Sequence, residues 1–129
     1  MIRKAECSCG KLSALCVGEP IRLSICHCHA CQRRTGTVFG TQARFQSKNV
    51  SISGSSTLYS RTGESGHKIS FHFCPDCGST VYYQFEGNDE FVIIPTGGFG
   101  DENFPAPNIS VYNNRKHSWV VLPEMVSED

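Results

Sequence analysis

Apolar and polar residues alternate in short runs along most of this chain. Leu12, Ala14 and Cys16 fall on one face of residues 11–17, and Ile21, Leu23 and Ile25 alternate with Arg22 and Ser24. Ile69, Phe71 and Phe73 alternate with Ser70 and His72, while Val81, Tyr83 and Phe85 share a face of residues 80–85. A period of two is that of a strand with one face buried. Further strands are expected over 38–45, 50–53, 57–61 and 91–94, with short extended pieces at 109–112 and 119–122. Gly18-Glu19-Pro20, residues 46–49, residues 62–66 and Gly87-Asn88-Asp89 supply turns between them. Residues 29–35 are the only helix expected, ended by Gly36 in the left-handed conformation. Strands with turn signals every ~8–12 residues indicate an all-β domain with at most one short helix.

The length of 129 residues suits one domain, 1–129, with its core over about 5–123 and an acidic tail from Glu124. Hydrophobic residues make up 39% and charged residues 19%, the balance of a folded globule rather than a disordered chain. The formal net charge is zero, which argues against a general nucleic-acid binder. No run approaches the ~18 apolar residues of a membrane helix. Residues 1–6 reach the first cysteine without an apolar stretch, so the expected location is cytoplasmic. Thiols stay reduced there, and eight clustered cysteines then read as metal ligands before disulfides.

The cysteines fall into a pair (Cys7, Cys9), a triplet (Cys26, Cys28, Cys31), a second pair (Cys74, Cys77) and the single Cys16. Two pairs make one saturated Cys₄ site, the form of structural zinc. The triplet has no cysteine left to complete it except Cys16, which shares a face with Leu12 and Ala14 and reads as core. Three thiolates with an open fourth position are the catalytic form of a zinc site. His27 and His29 are the other local candidates. As a fourth ligand either would close the site; as neighbours of ligand cysteines, both fit a supporting or substrate-facing role better. His72 and His117 lie far along the chain and would need folding to bring them near. His67, in a turn, reads as solvated.

Cys7-x-Cys9-Gly10, then Cys26-His27-Cys28-x-x-Cys31-Gln32-Arg33-Arg34-Thr35-Gly36, then Phe73-Cys74-Pro75-x-Cys77-Gly78-Ser79 resemble the glutathione-dependent formaldehyde-activating enzyme (GFA) family, also called centromere-protein-V-like. Residues 39–45 and Ser110-Val111-Tyr112 with His117 and Trp119 look similar too. The resemblance implies a zinc-stabilised β-tent (Mss-four-like) fold and two zinc ions per chain. Cys7, Cys9, Cys74 and Cys77 would hold the structural ion. Cys26, Cys28 and Cys31 would hold a labile, partly occupied and substrate-facing one. It also implies a carbon–sulfur lyase acting on S-(hydroxymethyl)glutathione or a similar adduct of a small thiol and an aldehyde.

A thiol entering the open position would be held as its thiolate, because coordination deprotonates it. His27 or His29 would then move the hydroxyl proton. Arg33, Arg34 and Arg44 would bind the carboxylates of glutathione, with at least one of them simply solvated. His117 and Trp119 would form a pocket wall, or Trp119 would pack in the core. Two other readings compete. One is a non-catalytic zinc module for a protein or nucleic-acid partner. The other is a thiol-redox protein at Cys74-x-x-Cys77, although no βαβ pattern surrounds that pair.

Overall fold

A computed structural model describes residues 1–128. Its strands are β1 (Ile2–Glu6), β2 (Ser13–Val17), β3 (Arg22–Cys26), β4 (Gly40–Gln46), β5 (Val50–Ser53) and β6 (Thr57–Thr62), followed by β7 (Lys68–Phe73), β8 (Thr80–Phe85), β9 (Phe91–Pro95), β10 (Ile109–Val111) and β11 (Val126–Glu128). One helix, α1 (His29–Thr35), follows β3, and three single 3-10 turns lie at Ser47–Asn49, Thr96–Phe99 and Asn113–Arg115. The strands form two sheets. The smaller has the order β1-β2-β5, and the larger has the order β11-β10-β3-β4-β9-β8-β7-β6.

The alternation read from the sequence decides what each strand shows to each side. Ala43 and Phe45 of β4 and Val92 and Ile94 of β9 join Ala5, Ala14 and Cys16 of the small sheet, and Leu12 just before β2, in the main core. Phe45, Leu12 and Ile94 are fully enclosed there. Truncating Phe45 to Ala would cost about 3–5 kcal/mol, because a close-packed core does not collapse into the space left. The intervening positions, Gln42 and Arg44 of β4 and Ile93 of β9, face the opposite side of the large sheet. There Ile69, Phe71, Tyr83 and Ile93 form a second apolar cluster beside a cavity. Cys16 is fully buried in the main core, and desolvation pushes its thiol up to about 11. It is a small hydrophobe and takes no part in a metal cluster.

The structure adds one strand that the sequence reading left out and corrects three of its expectations. Residues 2–6 form β1, which pairs antiparallel with β2 from Ile2↔Val17 to Glu6↔Ser13. The acidic tail does not simply trail off, since Val126–Glu128 adds a parallel edge strand to β10. Residues 119–122 are not a strand; Trp119 is 68% exposed and Val121 90%. In β3 both Ser24 and Ile25 are buried, because this strand lies between β10 and β4 and both its faces are covered.

Helix α1 ends as its sequence dictates. Gly36 adopts φ 72°, and its N–H donates to the Gln32 carbonyl at 2.9 Å. Gly54 meets a different demand. At φ 98° a Cβ there would lie 1.9 Å from the Lys11 carbonyl oxygen, so only glycine lets the end of β5 pass the first cysteine loop.

Candidate metal centre and its cavity

Cys7 and Cys9 follow β1, and Cys74 and Cys77 follow β7; the fold brings the two loops together. Their four sulfurs all lie within 4.8 Å of one another. Cys9 Sγ is 3.6 Å from both Cys7 Sγ and Cys74 Sγ. Four sulfurs ~2.3 Å from a common centre in a tetrahedron would be about 3.8 Å apart. A disulfide would need about 2.05 Å. The spacing therefore fits a metal and not a disulfide. Backbone N–H groups support the sulfurs as anions: Leu12 donates to Cys7 Sγ at 3.2 Å and Asp76 to Cys74 Sγ at 3.4 Å. Backbone hydrogen bonds from Ser79 and Cys9 push the Cys77 thiol down to about 5. Ser8 and Ser79 join hydroxyls at 2.9 Å and link the two loops beside the cluster.

The second cluster is local. Cys26 ends β3, Cys28 caps α1, and Cys31 sits in its first turn. Cys28 Sγ accepts from the Cys31 N–H at 3.3 Å, so the helix cap fixes one ligand relative to another. All three residues are buried, and their sulfurs lie within 4.8 Å of one another. Crowding divides their acidities. Hydrogen bonds from Cys26 and then Cys31 push the Cys28 thiol down to about 2, while donating to Cys28 and Cys31 pushes Cys26 far up. Three buried sulfurs of this kind lose all their protons together only around a cation. Among the described residues no histidine nitrogen or carboxylate oxygen joins the three sulfurs. The donor set is thus three thiolates with one corner not supplied by the chain, whereas the first cluster supplies four.

The trio opens on a cavity of about 290 Å³ on the face of the large sheet away from the main core. Cys26, Cys28 and Cys31 line one end, and Arg22, Gln42 and Arg44 line strands β3 and β4 beyond it. Arg22 and Arg44 are register partners across β3 and β4, as are Cys26 and Gly40. Four residues of strand separate the two pairs, about 13 Å. Arg44 lies over Phe85 and Phe91, at 5.9 and 5.3 Å from the ring centroids. Its buried Nε has no hydrogen-bond partner, and neither has Gln42 Oε1. Desolvation and the neighbouring Arg22 hold the Arg44 guanidinium below its ordinary value. Arg61 enters from β6 and lies over Phe71. Two ion pairs fasten the rim: Arg22 to Glu128 at 2.9 Å, and Arg115 to Glu64 of the β6–β7 turn at 2.6 Å.

Of the side chains singled out from the sequence, the cavity gathers the cysteine trio and Arg44. Arg34 stands alongside, over the rings of Phe71 and Tyr83 at 5.6 and 5.4 Å, with Nε and one Nη buried and unpartnered. Arg33 and His29 are exposed and outside the cavity lining. His27 is fully buried and also outside it. Its ring lies edge-on to Phe39, and Nε2 is 3.0 Å from Ser110 Oγ. Burial, then the positive Lys116 and His117, hold its imidazole below the ordinary value. His117 Nε2 meets Gln32 Oε1 at 3.0 Å, and Trp119 stands edge-on to His117 at 6.4 Å, in solvent rather than in a pocket wall. Reading the sequence missed Arg22, Arg61, Gln42 and Tyr112. Arg22 was the most accessible of these, since it shares its face of β3 with Cys26.

The fold is similar to that of a crystal structure of a Rhodobacter sphaeroides protein. The TM-score is 0.57 and the identity 20%, over 79% of this chain and 90% of that one. No functionally curated protein matches the chain. Residues 2–115 match the family described as glutathione-dependent formaldehyde-activating enzyme, and the chain belongs to that family.

Proposed function

We propose that this protein is a zinc-dependent carbon–sulfur lyase acting on adducts of a glutathione-type thiol with a small aldehyde such as formaldehyde. Cys7, Cys9, Cys74 and Cys77 hold a structural zinc, and Cys26, Cys28 and Cys31 hold a second, working one. The observation that carries this reading is the contrast between the two clusters. One is complete within the chain; the other ends in a free corner that faces a cavity. Zinc bound by the trio supplies a place where a visiting sulfur is stabilised as thiolate.

The chain's own residues do the rest. Arg44 and Gln42 line the cavity, each with a buried polar atom that has no partner; Arg61 adds positive charge, and the charge of Arg22 is met by Glu128. Arginine matches a carboxylate in two-point geometry, so Arg44 and Arg61 hold the carboxylates of the thiol. The ~13 Å of strand between Cys26 and Arg22 suits an extended tripeptide better than a two- or three-carbon thiol. Phe71, Tyr83 and Phe85 wall the cavity and exclude water from the reacting sulfur. Cleavage releases the thiolate, the aldehyde and one proton; addition runs the same path backwards. His27 and His29 sit outside the cavity lining; His27, bonded to Ser110 and Val111, positions the trio-bearing end of β3, and His29 is exposed. A cytoplasmic location fits reduced thiols and ready glutathione.

The test is turnover by the zinc-loaded protein of the adduct formed from glutathione and formaldehyde. Acceleration above the spontaneous rate that vanishes in Cys28→Ser supports the reading. No acceleration with two zinc ions bound contradicts it.

A further inference from the structure

We propose that Tyr112 is a catalytic residue of this site, its hydroxyl donating a hydrogen bond to the adduct's oxygen as the carbon–sulfur bond forms or breaks. The inference rests on the lyase reading above. Ala30, Val111 and Tyr112 pack against the cluster of Cys26, Cys28 and Cys31, and of these only Tyr112 carries a polar side-chain group. It also lines the cavity, which neither local histidine does.

The backbone at this position is unusual. Tyr112 has φ 54° and ψ 46°, the only positive φ outside glycine among the described residues. A bulky residue in the left-handed region is strained and persists only where its surroundings impose it. Those surroundings are present. β10 lies parallel to β3, with Val111 opposite Cys26, and the His27 N–H donates to the Val111 carbonyl at 3.2 Å. Asn113 Nδ2 donates to the Ser110 carbonyl at 2.9 Å, and the Arg115 N–H donates to the Tyr112 carbonyl at 3.1 Å. The Arg115 guanidinium lies 5.8 Å from the ring centroid and is held by Glu64. The segment is thus fastened on both sides of Tyr112, and the residue so held packs on the cysteine trio and lines the cavity.

The chemistry needs a donor there. In cleavage of a hydroxymethyl thioether the carbon–sulfur electron pair leaves with sulfur. The hydroxyl proton passes to water, and the oxygen becomes the aldehyde carbonyl. In addition a thiolate pair forms that bond, and the oxygen gathers negative charge before taking a proton from water. Both directions share a transition state with charge on oxygen, and a fixed neutral donor stabilises that charge. Tyr112 fills this role without changing its own protonation state.

Tyr112→Phe removes only the hydroxyl and keeps the ring against the trio. The expected result is two zinc ions per chain, kcat lower by about 10²-fold, the usual size for one lost donor, and KM higher only by the factor by which adduct binding weakens. A second readout does not depend on turnover. At equilibrium the wild-type protein binds the glutathione–formaldehyde adduct more tightly than S-methylglutathione, and Tyr112→Phe abolishes that preference. Unchanged kcat and unchanged preference in Tyr112→Phe overturn the proposal while leaving the lyase reading intact. Loss of zinc or of thiol binding in the variant also overturns it, by making Tyr112 structural. A wild-type protein that neither turns over nor distinguishes the two ligands overturns the reading and the proposal together.

Discussion

His27 Nε2 lies 3.0 Å from Ser110 Oγ, and both residues are buried. Ser110 in turn donates its hydroxyl to Asn113 Oδ1. The hydroxyl proton is committed there, so Nε2 is the donor toward Ser110. The His27 Nδ1 is buried without a partner. Protonation would place an N–H where nothing accepts it, which agrees with the lowered acidity range of this ring. The pair joins the trio-bearing end of β3 to the strand that leads into Tyr112. Ser110→Ala should cost about 1–3 kcal/mol, since it leaves a buried donor unsatisfied. Chemical denaturation of the zinc-loaded protein measures it.

Burial of the His27 ring gives a pH dependence. The folded pKa of His27 is lowered, so the unfolded chain takes a proton that the folded one refuses. Stability from this group is complete above the unfolded value of about 6.5 and falls as pH drops from there toward the folded pKa. His27→Gln should therefore lose less stability than wild type between about pH 7 and pH 5. His72, also lowered by burial, is present in both proteins and cancels in the comparison. Parallel denaturation curves across that range would contradict the assignment.

The two clusters should respond differently to the loss of one sulfur. Cys74→Ser removes the tie between the loops after β1 and β7. Structural zinc binding is folding energy, so this variant should lose cooperative unfolding or several kcal/mol of stability. Cys28→Ser should drop one metal per chain and keep the circular dichroism of the sheets. Metal counting together with thermal melts separates the two outcomes.

Arg44 and Arg33 form a matched pair of tests. Arg44 lines the cavity with an unpartnered Nε, whereas Arg33 is exposed outside it. A hydrogen bond to a charged group is worth about 1.5–3 kcal/mol. Arg44→Met, which keeps the stem against Phe85 and Phe91, should raise KM for a carboxylate-bearing thiol by at least tenfold. Arg33→Met should leave it unchanged. Equal effects in steady-state assays would contradict this carboxylate assignment.

What could be read from the sequence was local. The trio spacing, both pairs, the helix over 29–35 and its Gly36 stop depend on residues a few positions apart. Strand parity carried through for Leu12, Ala14 and Cys16, which face the core, but not for Val81, which packs in the core while Tyr83 and Phe85 line the cavity beyond a register shift between β7 and β8. What stayed hidden depends on which strands lie together. β10 lies parallel to β3 although some eighty residues intervene, and that pairing alone sets Tyr112 on the trio. Parallel neighbours need long connections and leave no turn signature. Trp119 shows the converse error. An aromatic residue suggests a buried wall, but its segment only turns across the surface.

The most direct test of the account is the number of sulfurs around the metal held by Cys26, Cys28 and Cys31. Cobalt placed selectively in that site reports it through the sulfur-to-metal charge-transfer band. The account predicts a three-sulfur spectrum for the protein alone, changing to a four-sulfur spectrum on titration with glutathione and reverting when the thiol is removed. A four-sulfur or Cys₃His spectrum before any thiol is added, unmoved by the titration, would contradict it.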